Sequence, residues 1–282
     1  MKRILVPTDF SPTAERAFRF AFDIAQKTKG TIILYHTYVP VESSFIAAER
    51  QRDEYNAMVE EKILKRLQRL KRKIAGDASE IAVSTIVGRS PLVANLIRFA
   101  DKNHVDLIVM GTQGASGLKK MMVGSVAARV VEKSRWPILL VPGKYEWKEP
   151  GQLVFATNFS PSDKEALPLI DKLARLYDAE TTVLHLMKSN ASAAESEKEK
   201  KDFDAHARAI QKKAKNNLSL HFHVLEVDSI IDAMETLDKK FPYDVMIMVR
   251  RKKKLLEKLM VKSFTKSMAY VTRKPLLIIP EE

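Results

Sequence analysis

The sequence predicts an α/β protein of two tandem doubly wound domains, each built on a largely parallel sheet of five strands. Three observations carry that reading. Short apolar runs alternate with amphipathic stretches of helical period along the chain. The chain repeats itself, which divides its 282 residues into two units of ordinary domain size. One apolar run, D-L-I-V-M at 106–110, empties into a loop rich in glycine and hydroxyl groups before the next helix. Rossmann-like and flavodoxin-like sheets form their ligand crevices at such strand ends.

In the first half, strands are expected at 3–7, 31–36, 81–87, 106–110 and 137–141. Ser11 and Pro12 open a helix as N-cap and first helical residue, and Ala14, Ala17, Phe18, Ala21, Phe22 and Ala25 share one face of it. A long amphipathic helix with a basic end follows from about 46 to 74. Ser90-Pro91 starts a third helix and Val123-Gly124-Ser125 a fourth. The second half predicts strands at 152–157, 180–186, 219–227, 244–249 and 275–279; its equivalent of the long helix, A-A-E-S-E-K-E-K-K-D-F-D-A-H-A-R at 193–208, starts in a polar stretch, and part of 188–200 is expected to be disordered.

The repeat is legible motif by motif. V-P-T-D-F-S-P at 6–12 returns as F-A-T-N-F-S-P at 155–161, and His36 aligns with His185. D-L-I-V-M at 106–110 returns as D-V-M-I-M at 244–248, and W-P-I-L-L-V-P at 136–142 as K-P-L-L-I-I-P at 274–280. This places one domain at 1–143, a linker at 144–151 and a second domain at 152–282.

Composition limits the chemistry. The chain has no cysteine, which excludes disulfides, thiolate metal sites and cysteine nucleophiles. No apolar run is long enough to span a bilayer, the N-terminus reads as a strand rather than a secretion signal, and a cytoplasmic location is expected. The net charge of +13, most of it in the first half, suits anionic partners as well as a solvated surface.

Residues 111–125 read G-T-Q-G-A-S-G-L-K-K-M-M-V-G-S. Amides of such a loop, with the free N–H groups of the following helix start, form a cradle for phosphate. T-D-F-S at 8–11 places the Asp9 carboxylate at the end of the first strand. Together these features predict one nucleotide pocket.

With these pieces placed, the chain resembles the universal stress protein family, in a tandem form and over essentially its whole length. The specific part is the family's nucleotide signature G-x(2)-G-x(9)-G-[S/T], met in full by Gly111, Gly114, Gly124 and Ser125. The resemblance implies a stress-response protein that binds ATP or AMP. Pro7 and Thr8 would shape one wall, Asp9 would accept hydrogen bonds from the ribose or adenine side, and Thr37 would meet adenine through its backbone. Met110 and Gly111 would lie beside the ribose and phosphates, with Gly114, Gly124, Ser125 and Val126 offering amides to the phosphates. Gln113 and Ala127 depart from the family's usual basic and hydroxyl side chains, and Lys119 and Lys120 would compensate by neutralising phosphate. Asp9 would also suit a magnesium ion brought by the nucleotide. Single-domain members pair through their last strands, so Ile138–Val141 and Leu276–Ile279 are expected to pair here within one chain as a pseudo-dimer; a further homo-oligomer stays open.

The second half loses the signature. Val249, Lys252 and Lys262 replace Gly111, Gly114 and Gly124, while Asn158 replaces Asp9 and Leu186 replaces Thr37. A structural or regulatory domain without a nucleotide is expected. Its basic run Arg250–Lys254 is a candidate anion site. His221 and His223 share a strand face without a third metal ligand. Neither a P-loop nor a G-x-S-x-G elbow is present, so binding with at most slow ATP hydrolysis is expected. Two alternatives remain open: an enzyme cutting or transferring at the phosphates, and an interaction or ligand-carrier protein whose basic second domain holds an anionic or apolar partner.

Overall fold

The N-terminal half runs β1 (Arg3–Pro7), α1 (Pro12–Thr28), β2 (Thr31–Tyr38), α2 (Glu49–Ala75), β3 (Val83–Arg89), α3 (Leu92–Lys102), β4 (Leu107–Gly111), α4 (Ser125–Lys133) and β5 (Ile138–Val141). The C-terminal half runs β6 (Gln152–Thr157), α5 (Asp163–Tyr177), β7 (Glu180–Lys188), α6 (Ala193–Ala214), β8 (Leu220–Val227), β9 (Val245–Arg250) and β10 (Leu276–Pro280). The computed structural model describes residues 1–42, 49–77, 79–112, 124–214, 218–229, 233, 236–237, 239, 242–251 and 273–281.

All ten strands join one sheet in the order β3-β2-β1-β4-β5-β10-β9-β6-β7-β8. Pairing is parallel inside each half, and the halves meet where β5 and β10 pair antiparallel, Leu140 opposite Leu276 and Ile138 opposite Ile278. The seam expected from the last strand of each half is therefore present. The strands near it are apolar throughout because helices cover both faces of the sheet. One core holds α1, α2, α5 and α6 against one face; the other holds α3 and α4 against the opposite face.

The antiparallel seam has a geometric consequence. Strands of the two halves point in opposite directions, so their carboxyl edges, and any crevices there, lie on opposite rims of the sheet. Polar links cross the seam on the α1 face. Tyr177 Oη donates to Asp23 Oδ2 at 2.6 Å, and Lys27 Nζ meets Glu149 Oε1 at 2.6 Å. In the connection between halves, Tyr145 and Trp147 pack on Phe20 with ring centroids 6.0 and 4.8 Å away.

Local chemistry explains the element starts. Ser11 caps α1, its Oγ accepting from Ala14 N at 3.2 Å, and Pro12 follows with no amide to leave unpaired. The stretch 188–200 corrects an expectation. Rather than staying disordered, it finishes β7 and enters α6 at Ala193. Ser192 and Glu195 form a capping box: Glu195 N donates to Ser192 Oγ at 3.3 Å and Ser192 N to Glu195 Oε2 at 2.9 Å.

Candidate functional site

β1 lies between β2 and β4, with Ile4 opposite both Ile32 and Leu107. The chain leaves β1 for α1 on one face and leaves β4 for α4 on the other. A crevice opens at such a reversal, beyond the carboxyl ends of the two strands. Pro7, Thr8 and Asp9 stand on its β1 side, Met110 and Gly111 on its β4 side, and Gly124, Ser125 and Val126 at the head of α4. Thr37 lies near the end of β2, opposite Gly88 of β3. The structure thus gathers eight predicted residues at the carboxyl ends of β1 and β4 and the head of α4, with Thr37 at the same rim. Gly114, Gln113, Lys119 and Lys120 lie outside the described residues.

The T-D-F-S turn is built from its own side chains. Thr8 Oγ1 accepts from Phe10 N at 3.0 Å, Asp9 Oδ1 accepts from Ser11 N at 3.0 Å, and Phe10 takes φ 63°. Side chains that accept from amides two residues on are what let a non-glycine residue occupy this left-handed turn. Phe10 packs on His36 with centroids 4.6 Å apart, and the Arg66 guanidinium of α2 sits 4.0 Å from the Phe10 ring centroid. His36 Nδ1 donates to Thr8 O at 2.7 Å, which fixes the ring against the end of β1. Burial lowers the His36 pKa, the Thr8 bond opposes that, and nearby Arg66 lowers it further. A neutral imidazole at pH 7 results. Asp9 and Ser125 remain exposed at the rim.

Gly111 is required by close packing. A Cβ there would stand 2.6 Å from Thr13 Cγ2 and 3.1 Å from the Thr13 carbonyl carbon, in the first turn of α1. Gly124 is the N-cap of α4, with no side-chain cap, and its N–H donates to Thr112 O at 2.5 Å. The structure commits that amide inside the protein, where the sequence expectation gave it to phosphate. The first intrahelical bond runs from Ala128 N to Gly124 O at 3.0 Å, so the amides of Ser125, Val126 and Ala127 precede the ladder. Those of Ser125 and Val126, at exposed residues, are suited to an anion.

The second crevice keeps the turn and fills the space. Thr157 Oγ1 accepts from Phe159 N at 3.0 Å, Phe159 takes φ 64°, and His185 Nδ1 donates to Thr157 O at 3.1 Å, mirroring Thr8, Phe10 and His36. Beyond that the halves part. Asp163, 1% exposed, binds Thr157 Oγ1 and lies 3.0 Å from His206 Nε2 of α6, while His185 Nε2 meets Glu199 at 3.0 Å. Arg251 donates to Asn158 O at 3.0 Å, and Val249 takes the position of Gly111 at the end of the strand. The basic run predicted for anions is partly spent: Arg250 donates to Glu132 O at 3.0 Å and Ser134 O at 2.6 Å. Lys252–Lys254 lie outside the described residues. Asp163, Glu199, His206 and the role of Arg250 escaped sequence reasoning, since each pairs with a residue distant in the chain. His221 and His223 are exposed on edge strand β8. Among the described residues no group of three or more His, Asp or Glu is placed to hold a metal, and no helix is long and apolar enough to cross a membrane.

The family model described as "Universal stress protein family" matches residues 1–142 and again 151–280. The chain belongs to the universal stress protein family. Among its relatives is universal stress protein MJ0531 of Methanocaldococcus jannaschii, 32% identical over 143 residues, covering 50% of this chain and 81% of that protein. Universal stress protein YxiE of Bacillus subtilis is 29% identical over 146 residues, covering 49% of this chain and 97% of its own length. A crystal structure of a universal stress protein from Archaeoglobus fulgidus superposes with TM-score 0.72 at 16% identity, covering 99% of this chain and 98% of that one. The fold of both halves and their arrangement is shared with it.

Proposed function

We propose that this universal stress protein binds one adenine nucleotide per chain, ATP or AMP, in the N-terminal crevice. In this reading 1–143 is the nucleotide-binding domain, 144–151 the linker, and 152–282 a structural and regulatory domain. The observation that most supports it is the juxtaposition of Asp9, Gly111 and the exposed amides of Ser125 and Val126 around one strand reversal. Gly111, Gly124 and Ser125 of the signature lie together there, and in the other half Val249 takes the place of Gly111. Val249, and Arg251 bound to Asn158 O, argue against a second site.

The donor set fits such a ligand. Exposed amides at the head of α4 and the Ser125 hydroxyl would take phosphate oxygens, while Asp9 would take a ribose or base donor and could share a magnesium ion. In this reading the protein is a binding sensor with at most slow hydrolysis.

Calorimetric titration of the full chain with ATP and with AMP tests this. One site per chain is expected, with affinity about tenfold lower in Asp9→Ala, or about 1.4 kcal/mol. Two equal sites, or no heat from either nucleotide, overturns the reading.

A further inference from the structure

Arg250 ends β9 in the C-terminal half, yet its guanidinium serves a helix of the other half. Nη1 donates to Glu132 O at 3.0 Å and Nη2 to Ser134 O at 2.6 Å, carbonyls at the last turn and C-cap of α4. The last carbonyls of a helix have no intrahelical donors and carry the negative end of its dipole. A planar, permanently charged fork answers both needs. The opposite end of this nine-residue helix is the head that carries the Ser125 and Val126 amides. A helix this short is a rod of about 13 Å, so holding its tail fixes the direction of its head.

α4 is also held by its buried face, Ala127, Val130 and Val131, and at its head by the Gly124 N–H donating to Thr112 O, so Arg250 adds the tie at the tail. The N-cap, Gly124, contributes no side-chain bond. At the tail Ser134 Oγ donates to Trp136 O at 2.9 Å and accepts from Trp136 N at 3.0 Å, which orders the exit but leaves the Glu132 and Ser134 carbonyls to Arg250. Burial lowers the Arg250 pKa, opposed by the Glu132 and Glu281 carboxylates. This half-buried guanidinium would lose both backbone oxygens if the halves shifted.

We infer that Arg250 is a positioning residue through which the C-terminal half sets the phosphate-binding end of the N-terminal half's nucleotide site. This rests on the nucleotide reading above and adds a role for the half that lacks the signature. Because the effect passes along α4, it bears on the phosphates and spares the nucleoside.

The test titrates wild type, Arg250→Ala and Arg250→Gln, as full chains, with ATP and with adenosine. Arg250→Ala is expected to weaken ATP binding about tenfold while changing adenosine binding less than about twofold, with Arg250→Gln intermediate. Faster amide hydrogen exchange at Ser125–Ala127 should accompany the loss. If Arg250→Ala fails to fold, as judged by circular dichroism, Arg250→Gln carries the same comparison. Equal loss for ATP and adenosine means general loosening and overturns the inference, as does unchanged ATP affinity. A wild type that binds neither compound sinks the nucleotide reading itself, and this inference with it.

Discussion

At the scale of single residues, identical motifs in the two halves separate what the fold needs from what a ligand would need. Threonine and phenylalanine of T-x-F-S-P recur because Thr8 and Thr157 each accept from the phenylalanine amide that holds a left-handed turn. Asp9 between them accepts from Ser11 N at 3.0 Å, and it is the residue that changes, to Asn158. Gly111 shows how one position can serve both ends. Its missing Cβ admits the first turn of α1; in the repeat, where Val249 takes this position, α5 begins later, at Asp163 rather than at Pro161, the counterpart of Pro12. Gly111→Ala would therefore push against Thr13, whose carbonyl carbon cannot rotate away. A stability loss of about 1–3 kcal/mol is expected from such overpacking. Urea denaturation measures it, and Thr13→Ala added to Gly111→Ala should recover only part, since the backbone contact at 3.1 Å remains. Full recovery would mean that the side chain alone makes the glycine necessary.

At the scale of elements, the strands were legible because each is a short apolar run covered on both faces, a pattern that depends on few neighbours. The start of α1 was legible for a similar reason, since Ser11 and Pro12 act on amides within the same turn. α6 is legible as the counterpart of the long helix α2, but its polar start reads as disorder on composition. Its sequence is highly charged and buries few apolar residues, Phe203 and Ile210 among them, yet S-x-x-E at 192–195 was there to be read as a helix start. Further support comes from His206, which meets Asp163 of α5, and from Glu199, which meets His185 of β7. No local pattern announces those pairs, because their members are brought together only by the winding of the chain. With so little apolar burial, α6 should be sensitive to its cap. Ser192→Ala is expected to destabilise it by about 1 kcal/mol, as capping losses do. Hydrogen exchange resolves this, with protection falling in the first turns of α6 and little changed in α5. Equal protection in variant and wild type would show that the cap contributes nothing to this helix.

At the scale of the whole molecule, the seam decides how the halves can differ without separating. Its pairing of Ile138–Leu140 with Leu276–Ile278 is what the family resemblance implied, whereas its polar links were invisible in the sequence, Asp23 and Tyr177 being 154 positions apart. The Asp23 carboxyl is pushed above its ordinary pKa, chiefly by burial, with the Tyr177 hydrogen bond and Lys27 opposing and Glu149 adding to the rise. Tyr177 is pushed up as well, by burial first and then by Asp23. For a carboxyl raised on folding, the folded state holds the proton in a range where the unfolded state has lost it. The contribution to stability is then complete below the unfolded carboxylate pKa and is lost as pH rises through the folded value. Asp23→Asn removes this titration while leaving an oxygen for the Tyr177 hydroxyl. The stability of the variant relative to wild type should thus rise as pH goes from the ordinary carboxylate pKa of about 4 up through the raised folded value, as followed by urea denaturation at several pH values. Asp244 pulls in the other direction. Burial alone would raise it, but Lys148 and the amides of Gly151 and Gln152 bring it below the ordinary value, so its stabilisation is lost as pH falls through the folded value. Both variants of the comparison retain Asp244, and its acid-side loss cancels in their difference. A difference that stays flat with pH would mean that Asp23 is as well solvated at the seam as in the unfolded chain.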